Sequence, residues 1–266
     1  MTFLAVFVAV FLLLWLFFSG AGPGIQRLLQ RTAHWTAAFR YRDYLPVFVL
    51  IAAGMAATAM AGDAFLDIAE RLQEDSPRLH AIDAEAHAWA RDSRSTGATF
   101  FFTSLTLLGT PVGLGILIAA VIAVLLLRGR WRWAAYLAIT TGVGGLLNLL
   151  LKSFFERARP ELAEALRGAH GYSFPSGHAM GSTIVFGALG YLAMRILTRW
   201  RHCAAALALA CTLVLAIALS RVYLGVHWIS DIAAGITAGL IWLTTATVAY
   251  ETFRRIRLVR ARRAKR

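Results

Sequence analysis

Three short polar clusters interrupt an otherwise apolar chain, and together they hold the side-chain types that phosphoryl transfer requires. Lys152 stands seven residues before Arg159-Pro160, Pro175-Ser176-Gly177-His178 opens one apolar run, and Ser220-Arg221 precedes His227 and Asp231 at the start of another. Displacement at phosphorus needs cations around the equatorial oxygens, a nucleophile in line and an acid for the leaving oxygen. Lys152, Arg159 and Arg221 can supply the cations, His227 the nucleophile and His178 the acid.

Each cluster also makes local structural demands. Lys152 and Arg159 project from nearly one face if their helix continues for two more turns, and Pro160 then stops it. Arg157 lies off that face and reads as a surface charge. Ser176 suits an N-cap, with Gly177 and His178 as the first helical residues, whose amides lack intrahelical acceptors and so form an anion seat. His227 and Asp231, at i and i+4 on a helix, can hydrogen-bond; a carboxylate on one imidazole nitrogen fixes the tautomer and makes the other the better nucleophile. Taken singly, the clusters have plainer readings as snorkelling cations, an inert interfacial histidine or a helix-start ion pair.

The elements that must position these residues are membrane spans. The chain has 266 residues, 59% hydrophobic and 15% charged, with a mean hydropathy of +0.63, outside the composition of soluble domains. Seven apolar runs are long enough to approach or exceed a bilayer crossing: Thr2 to Phe18, Leu45 to Ala61, Phe100 to Leu127, Trp131 to Leu151, Ala179 to Leu197, Cys203 to Leu219 and Ile229 to Tyr250. They are continuous, not alternating, so helices are expected, not a barrel. The third run contains Pro111 among glycines, which predicts either a tilted span or a turn before it. Gly142-Val143-Gly144-Gly145 in the fourth predicts close helix contact. Cys203 and Cys211 share one helix and cannot pair with each other.

Arginine placement sets the orientation. Arg128, Arg130 and Arg132 crowd one short turn, Arg195, Arg199 and Arg201 another, and eight basic residues follow Tyr250; the positive-inside rule makes all three cytoplasmic. The first run is then an uncleaved helix with its N-terminus outside, followed by a basic linker with Arg27, Arg31, Arg40 and Arg42. All three polar clusters open on the extracytoplasmic face. The net charge of +13 therefore reflects topology and contact of the tail with anionic lipids, not nucleic-acid binding. Gly62 to Ala98, also outside, holds eight of the 14 carboxylates. Its Leu79, Ile82, Ala86 and Trp89 recur at helical spacing, predicting an amphipathic surface helix that serves as a solvated linker and not a substrate lid.

The pattern Lys152-x6-Arg159-Pro160, Pro175-Ser176-Gly177-His178, Ser220-Arg221-x5-His227-x3-Asp231 resembles the three-part signature of the type-2 phosphatidic acid phosphatase superfamily at every motif position. The resemblance implies an all-α polytopic membrane helix bundle, with a six-helix phosphatase core over residues 45–250, an extra transmembrane helix and linker over 1–44, and a basic tail over 251–266. It implies a phosphohistidine on His227, oriented by Asp231, with His178 protonating the leaving group. Lys152, Arg159, Arg221, Ser176 and Gly177 then hold the phosphate, and no metal or cofactor takes part. The expected substrate is a lipid phosphate or pyrophosphate of the phosphatidylglycerophosphate, phosphatidic acid or undecaprenyl pyrophosphate class. Tyr172, Phe174, Glu156 and Glu161 do not choose among these. A lipid phosphotransferase would use the same residues, and a lipid carrier is the non-enzymatic alternative.

Overall fold

The computed structural model describes residues 3–35, 45–160, 165–166 and 171–264, and among them every regular element is helical. In chain order these are α1 (Phe3–Trp35), α2 (Leu45–Gln73), α3 (Pro77–Asp92), α4 (Thr96–Thr106), α5 (Pro111–Leu127), α6 (Trp131–Phe155), α7 (Gly177–Ile196), α8 (Trp200–Tyr223) and α9 (Ile229–Arg263). Arg40 and Arg42 of the expected linker, with Glu161, Lys265 and Arg266, lie outside the described residues.

Helices α2, α6, α7, α8 and α9 are each long and apolar enough to cross a bilayer, and α4 and α5 together make up to a sixth span, bent by 53°. The bend settles the reading of the third run in favour of a turn. A short 3-10 segment, Leu107–Gly109, ends α4, and Thr110 Oγ1 then caps α5 by accepting from the Gly113 amide at 3.0 Å. Pro111 occupies the first turn of α5, where its missing N–H leaves no bond unmade.

α7 is the centre of the bundle, packed on α6, α8 and α9, while α2 lies along α9. Its Ala179, Met180, Ile184, Val185, Ala188 and Leu192 are all buried. Large apolar side chains such as Met60, Phe100, Ile116, Leu127 and Leu149 point outward, the arrangement expected where lipid replaces water. Close approach depends on small residues. A Cβ on Gly235 of α9 would lie 2.7 Å from the Ser176 carbonyl oxygen and 2.9 Å from Ala179 Cβ, so α9 meets the start of α7 only because Gly235 has none. In the expected glycine cluster of α6, Gly144 lies against Ile184 and Trp242, while Gly142 and Gly145 face open space.

The first apolar run lies in α1, apart from these five to six spans. α1 carries its apolar stretch over Ala5–Ala21 and packs along α8. Trp15 Nε1 donates to the Arg201 carbonyl at 3.2 Å, and Trp200 Nε1 donates to the Phe18 carbonyl at 2.8 Å. At the end of the bundle remote from the three clusters, buried Glu251 of α9 accepts from Tyr191 at 2.8 Å and from Arg254 and Arg255. α9 runs on as one helix of 35 residues through Arg254, Arg255, Arg257, Arg260, Arg262 and Arg263.

Because α6, α7, α8 and α9 alternate in direction, the end of α6, the start of α7, the end of α8 and the start of α9 fall together. That end of the bundle holds all three polar clusters.

Candidate active site

Helix α6 stops at Phe155, and Glu156 adopts a left-handed conformation with φ of 48°. The two further turns expected of this helix are therefore absent, and Lys152 and Arg159 do not share a helix face. They meet instead because the chain folds back under the segment before α7. Lys152 Nζ donates to the Tyr172 carbonyl at 2.6 Å, and Arg159 Nη2 donates to the same oxygen at 3.2 Å.

Arg159 also reaches the loop between α8 and α9. Gly225 sits at φ of 74°, in the left-handed region that a side chain would strain. It lets the amides of Gly225 and Val226 close back on the carbonyls of Val222 and Arg221, at 2.9 and 3.1 Å, ending α8 in a Schellman turn. This turn directs the Val226 carbonyl to Arg159 Nη1, at 2.8 Å, and places His227 Nε2 3.2 Å from the same nitrogen.

His227 precedes α9 and is not part of it, yet the expected pairing is present: Nδ1 lies 3.2 Å from Asp231 Oδ2. A carboxylate opposite Nδ1 and a guanidinium donor opposite Nε2 both require the tautomer protonated at Nδ1. Nε2 then carries its lone pair toward the cations. Burial holds the His227 pKa down, to about 4, against an opposing pull from Asp231. Burial likewise lowers the Arg159 pKa from its ordinary value, leaving the guanidinium charged at neutral pH. A free imidazole takes up its proton near 6.5. Acidification from about 6.5 toward 4 therefore protonates the unfolded chain first, and stability is lost as the pH falls through that window. We expect the imidazole NMR signals of His227 to titrate with a midpoint near 4; a midpoint at the free value would contradict this environment.

Ser176 is the N-cap of α7, its Oγ accepting from the Ala179 amide at 3.5 Å, while its own amide donates to the Asp231 carbonyl at 3.0 Å. The start of α7, with Gly177 and His178 as its first two residues, is thus tied to the first turn of α9. His178 and Arg221 lie against the break between α4 and α5: a Cβ on Gly109 would be 3.1 Å from His178 Cδ2, and Arg221 Nη1 donates to buried Thr106 Oγ1 at 2.9 Å. Lys152, Arg159, His227 and Asp231 are connected by direct or shared hydrogen bonds, and Ser176 joins them through its backbone. His178 and Arg221 approach this cluster through the helix ends that carry them.

Arg157 and Asp83 sit differently from the sequence expectation. Arg157 is not a surface charge: its side chain is 9% exposed, donating to Asp231 Oδ1 at 2.7 Å and to Asp83 Oδ2 at 2.6 Å. Asp83, 2% exposed, comes from α3, the helix expected to be a solvated linker. It accepts from the amide and the hydroxyl of Ser230 as well, at 3.0 and 2.7 Å. The face α3 turns inward is accordingly Leu79, Asp83, Ala86 and Ala90, whereas Ile82 and Trp89 of the expected apolar seat are exposed. The ion pair with Arg157 adds Asp83 to the inward face alongside Leu79, Ala86 and Ala90. The stripe was readable at positions 79, 83, 86 and 90 had an acidic residue been allowed in it.

Comparison with known proteins follows the same region. Residues 133–255 match the family model of the PAP2 superfamily. Over 114 residues the chain is 33% identical to phosphatidylglycerophosphatase B of Bacillus subtilis (strain 168), a stretch that is 42% of this chain and 56% of that protein; the match thus spans little more than half the length of this curated relative. Among solved structures, the transmembrane PAP2-type phosphatidylglycerolphosphate phosphatase from Bacillus subtilis is 27% identical. It superposes with a TM-score of 0.67, covering 71% of this chain and 94% of that one. Aquifex aeolicus LpxE, 22% identical with a TM-score of 0.51 over 62% of this chain and 94% of its own, shares the fold.

Proposed function

Because this chain belongs to the PAP2 superfamily, we propose that it is an integral membrane phosphatase that hydrolyses a lipid phosphate through a phosphohistidine on His227. One observation carries the reading: a buried imidazole whose Nδ1 faces Asp231 and whose Nε2 faces Arg159, with Lys152 on the same carbonyl as that arginine. A binding protein has no use for an oriented, neutral imidazole between a carboxylate and cations.

In this mechanism Lys152, Arg159 and Arg221 surround the phosphoryl oxygens, joined by the amides at Gly177 and His178 under the Ser176 cap. The His227 Nε2 lone pair forms a bond to phosphorus as the bond to the lipid oxygen breaks. That oxygen leaves with the electron pair and takes a proton from His178. Asp231 stabilises the positive charge that the phosphorylated imidazole acquires. Water then attacks phosphorus, His178 recovers a proton from it, and the P–N bond breaks to return neutral His227 and inorganic phosphate.

The relatives named for phosphatidylglycerophosphate and its phosphatase support that lipid as the first candidate, ahead of phosphatidic acid and undecaprenyl pyrophosphate. The arginine-rich turns support an extracytoplasmic site in a cell or inner membrane, where a lipid reaches the cations with its chains still in the bilayer. In the same reading, residues 45–250 are the phosphatase core, 1–44 an added anchor with a basic cytoplasmic linker, and 251–266 a cytoplasmic tail facing anionic lipids. The test is phosphate release by the purified protein in detergent with EDTA present, with the three lipids assayed side by side. Release from at least one is expected. Release from none, or release abolished by the chelator and restored by a divalent metal, overturns the proposal.

A further inference from the structure

Asp231 has only two oxygens with which to hold His227, and neither is left to choose its own orientation. Oδ2 faces His227 Nδ1 and also accepts the Trp228 amide at 3.0 Å, while Oδ1 accepts Arg157 Nη1 at 2.7 Å. That guanidinium is itself fixed from three sides. Nη1 also donates to Ser230 Oγ at 2.7 Å, Nη2 donates to Asp83 Oδ2 at 2.6 Å, and Cζ lies 5.7 Å from the centre of the Trp228 ring. Its backbone carbonyl accepts from the Ser173 amide at 2.8 Å, tying it to the segment that leads into α7. The side chains of Asp83, Arg157 and Asp231 are 2%, 9% and 0% exposed, so the bonds form where competition from water is weakest.

We propose that Arg157 is a positioning residue for the His227–Asp231 pair, locking the Asp231 carboxylate in the plane that His227 needs, and that Asp83 of α3 anchors Arg157 in that pose. The proposal rests on the reading of His227 as nucleophile. Outer partners that orient a reacting group act on turnover more than on substrate affinity. Asp83 has a second role. It offsets the charge that Arg157 brings, so Asp231 keeps its negative charge without adding a net cation behind the nucleophile. Through Asp83, a helix that carries none of the three clusters becomes part of the catalytic apparatus.

Removing only the arginine leaves Asp83 buried with an uncompensated charge, and such a variant can fail for that reason alone. Arg157→Gln is therefore compared with Asp83→Asn and with the double variant, which has neither charge. Folded yield, kcat and KM on the preferred lipid phosphate, and the His227 NMR midpoint are measured for each. If Arg157 positions Asp231, the double variant regains folded yield but its kcat stays roughly tenfold to a hundredfold below wild type, with KM within about twofold. The His227 midpoint rises, because Asp231 then faces only His227 and the Trp228 amide while Arg159 and Lys152 remain in place. Wild-type kcat in the double variant would reduce Arg157 to a counter-ion for Asp83 and overturn the proposal, as would losses that only follow folded yield in every variant. Absence of phosphatase activity in the wild type would instead sink the nucleophile reading itself.

Discussion

His227→Ala protein accumulates and folds but turns over lipid phosphate at least about a thousandfold more slowly than wild type, the loss expected when a covalent nucleophile is removed. Arg159, the group beside Nε2, is a cation, and Lys152 shares the Tyr172 carbonyl with it, so neither replaces the lost lone pair. What remains is a phosphate seat without an attacking atom, so lipid binding falls much less than kcat. The measurement is single-turnover phosphate release beside trapping of the labelled enzyme. Wild type takes up label as a phosphoramidate, which acid releases and alkali spares; the variant takes up none. Activity within about tenfold of wild type would remove His227 from the covalent role.

Asp231→Asn is the second large effect, and its cause differs. Both Asp231 oxygens accept hydrogen bonds, from Arg157 on one side and from the Trp228 amide and His227 Nδ1 on the other. An amide has only one acceptor oxygen, so either rotamer sets an NH2 group against a donor. If the NH2 faces His227, the imidazole is driven to the Nε2-protonated tautomer and loses the lone pair it must present to phosphorus. A drop of about 10³- to 10⁴-fold in kcat is expected from the wrong tautomer, with a stability loss of roughly 3 kcal/mol for opening a buried ion pair. Steady-state kinetics together with a denaturation midpoint read the two separately. A variant that is destabilised yet retains kcat would leave Asp231 with a structural role only.

The parts of this site that were legible from sequence are those set by short-range rules. Ser176 caps a helix because serine followed by glycine and an apolar run does so locally. His227 and Asp231 meet because four residues span one turn, even though His227 stands just outside the helix. Two things escaped. Glu156 ends α6 in a left-handed conformation that no local signal demands of a glutamate, so the assumed face of Lys152 and Arg159 was a helix that does not exist. Arg157 was misplaced by the same error. Asp83 escaped because the stripe on α3 was read as apolar. The physical reason for its burial, a guanidinium 74 positions away, is invisible until the chain is folded.

The length of α9 bears on the other end of the molecule. From Glu251 to Arg263 the helix rises about 18 Å, roughly twice the distance over which an exposed charge is felt at physiological salt. Arg254 and Arg255 are already engaged by Glu251. Arg257, Arg260, Arg262 and Arg263 are therefore carried on a helical spar continuous with the last span, not on a loose string. Whether they meet the bilayer surface depends on the tilt of that spar, so changes in membrane thickness would raise or lower them as one unit.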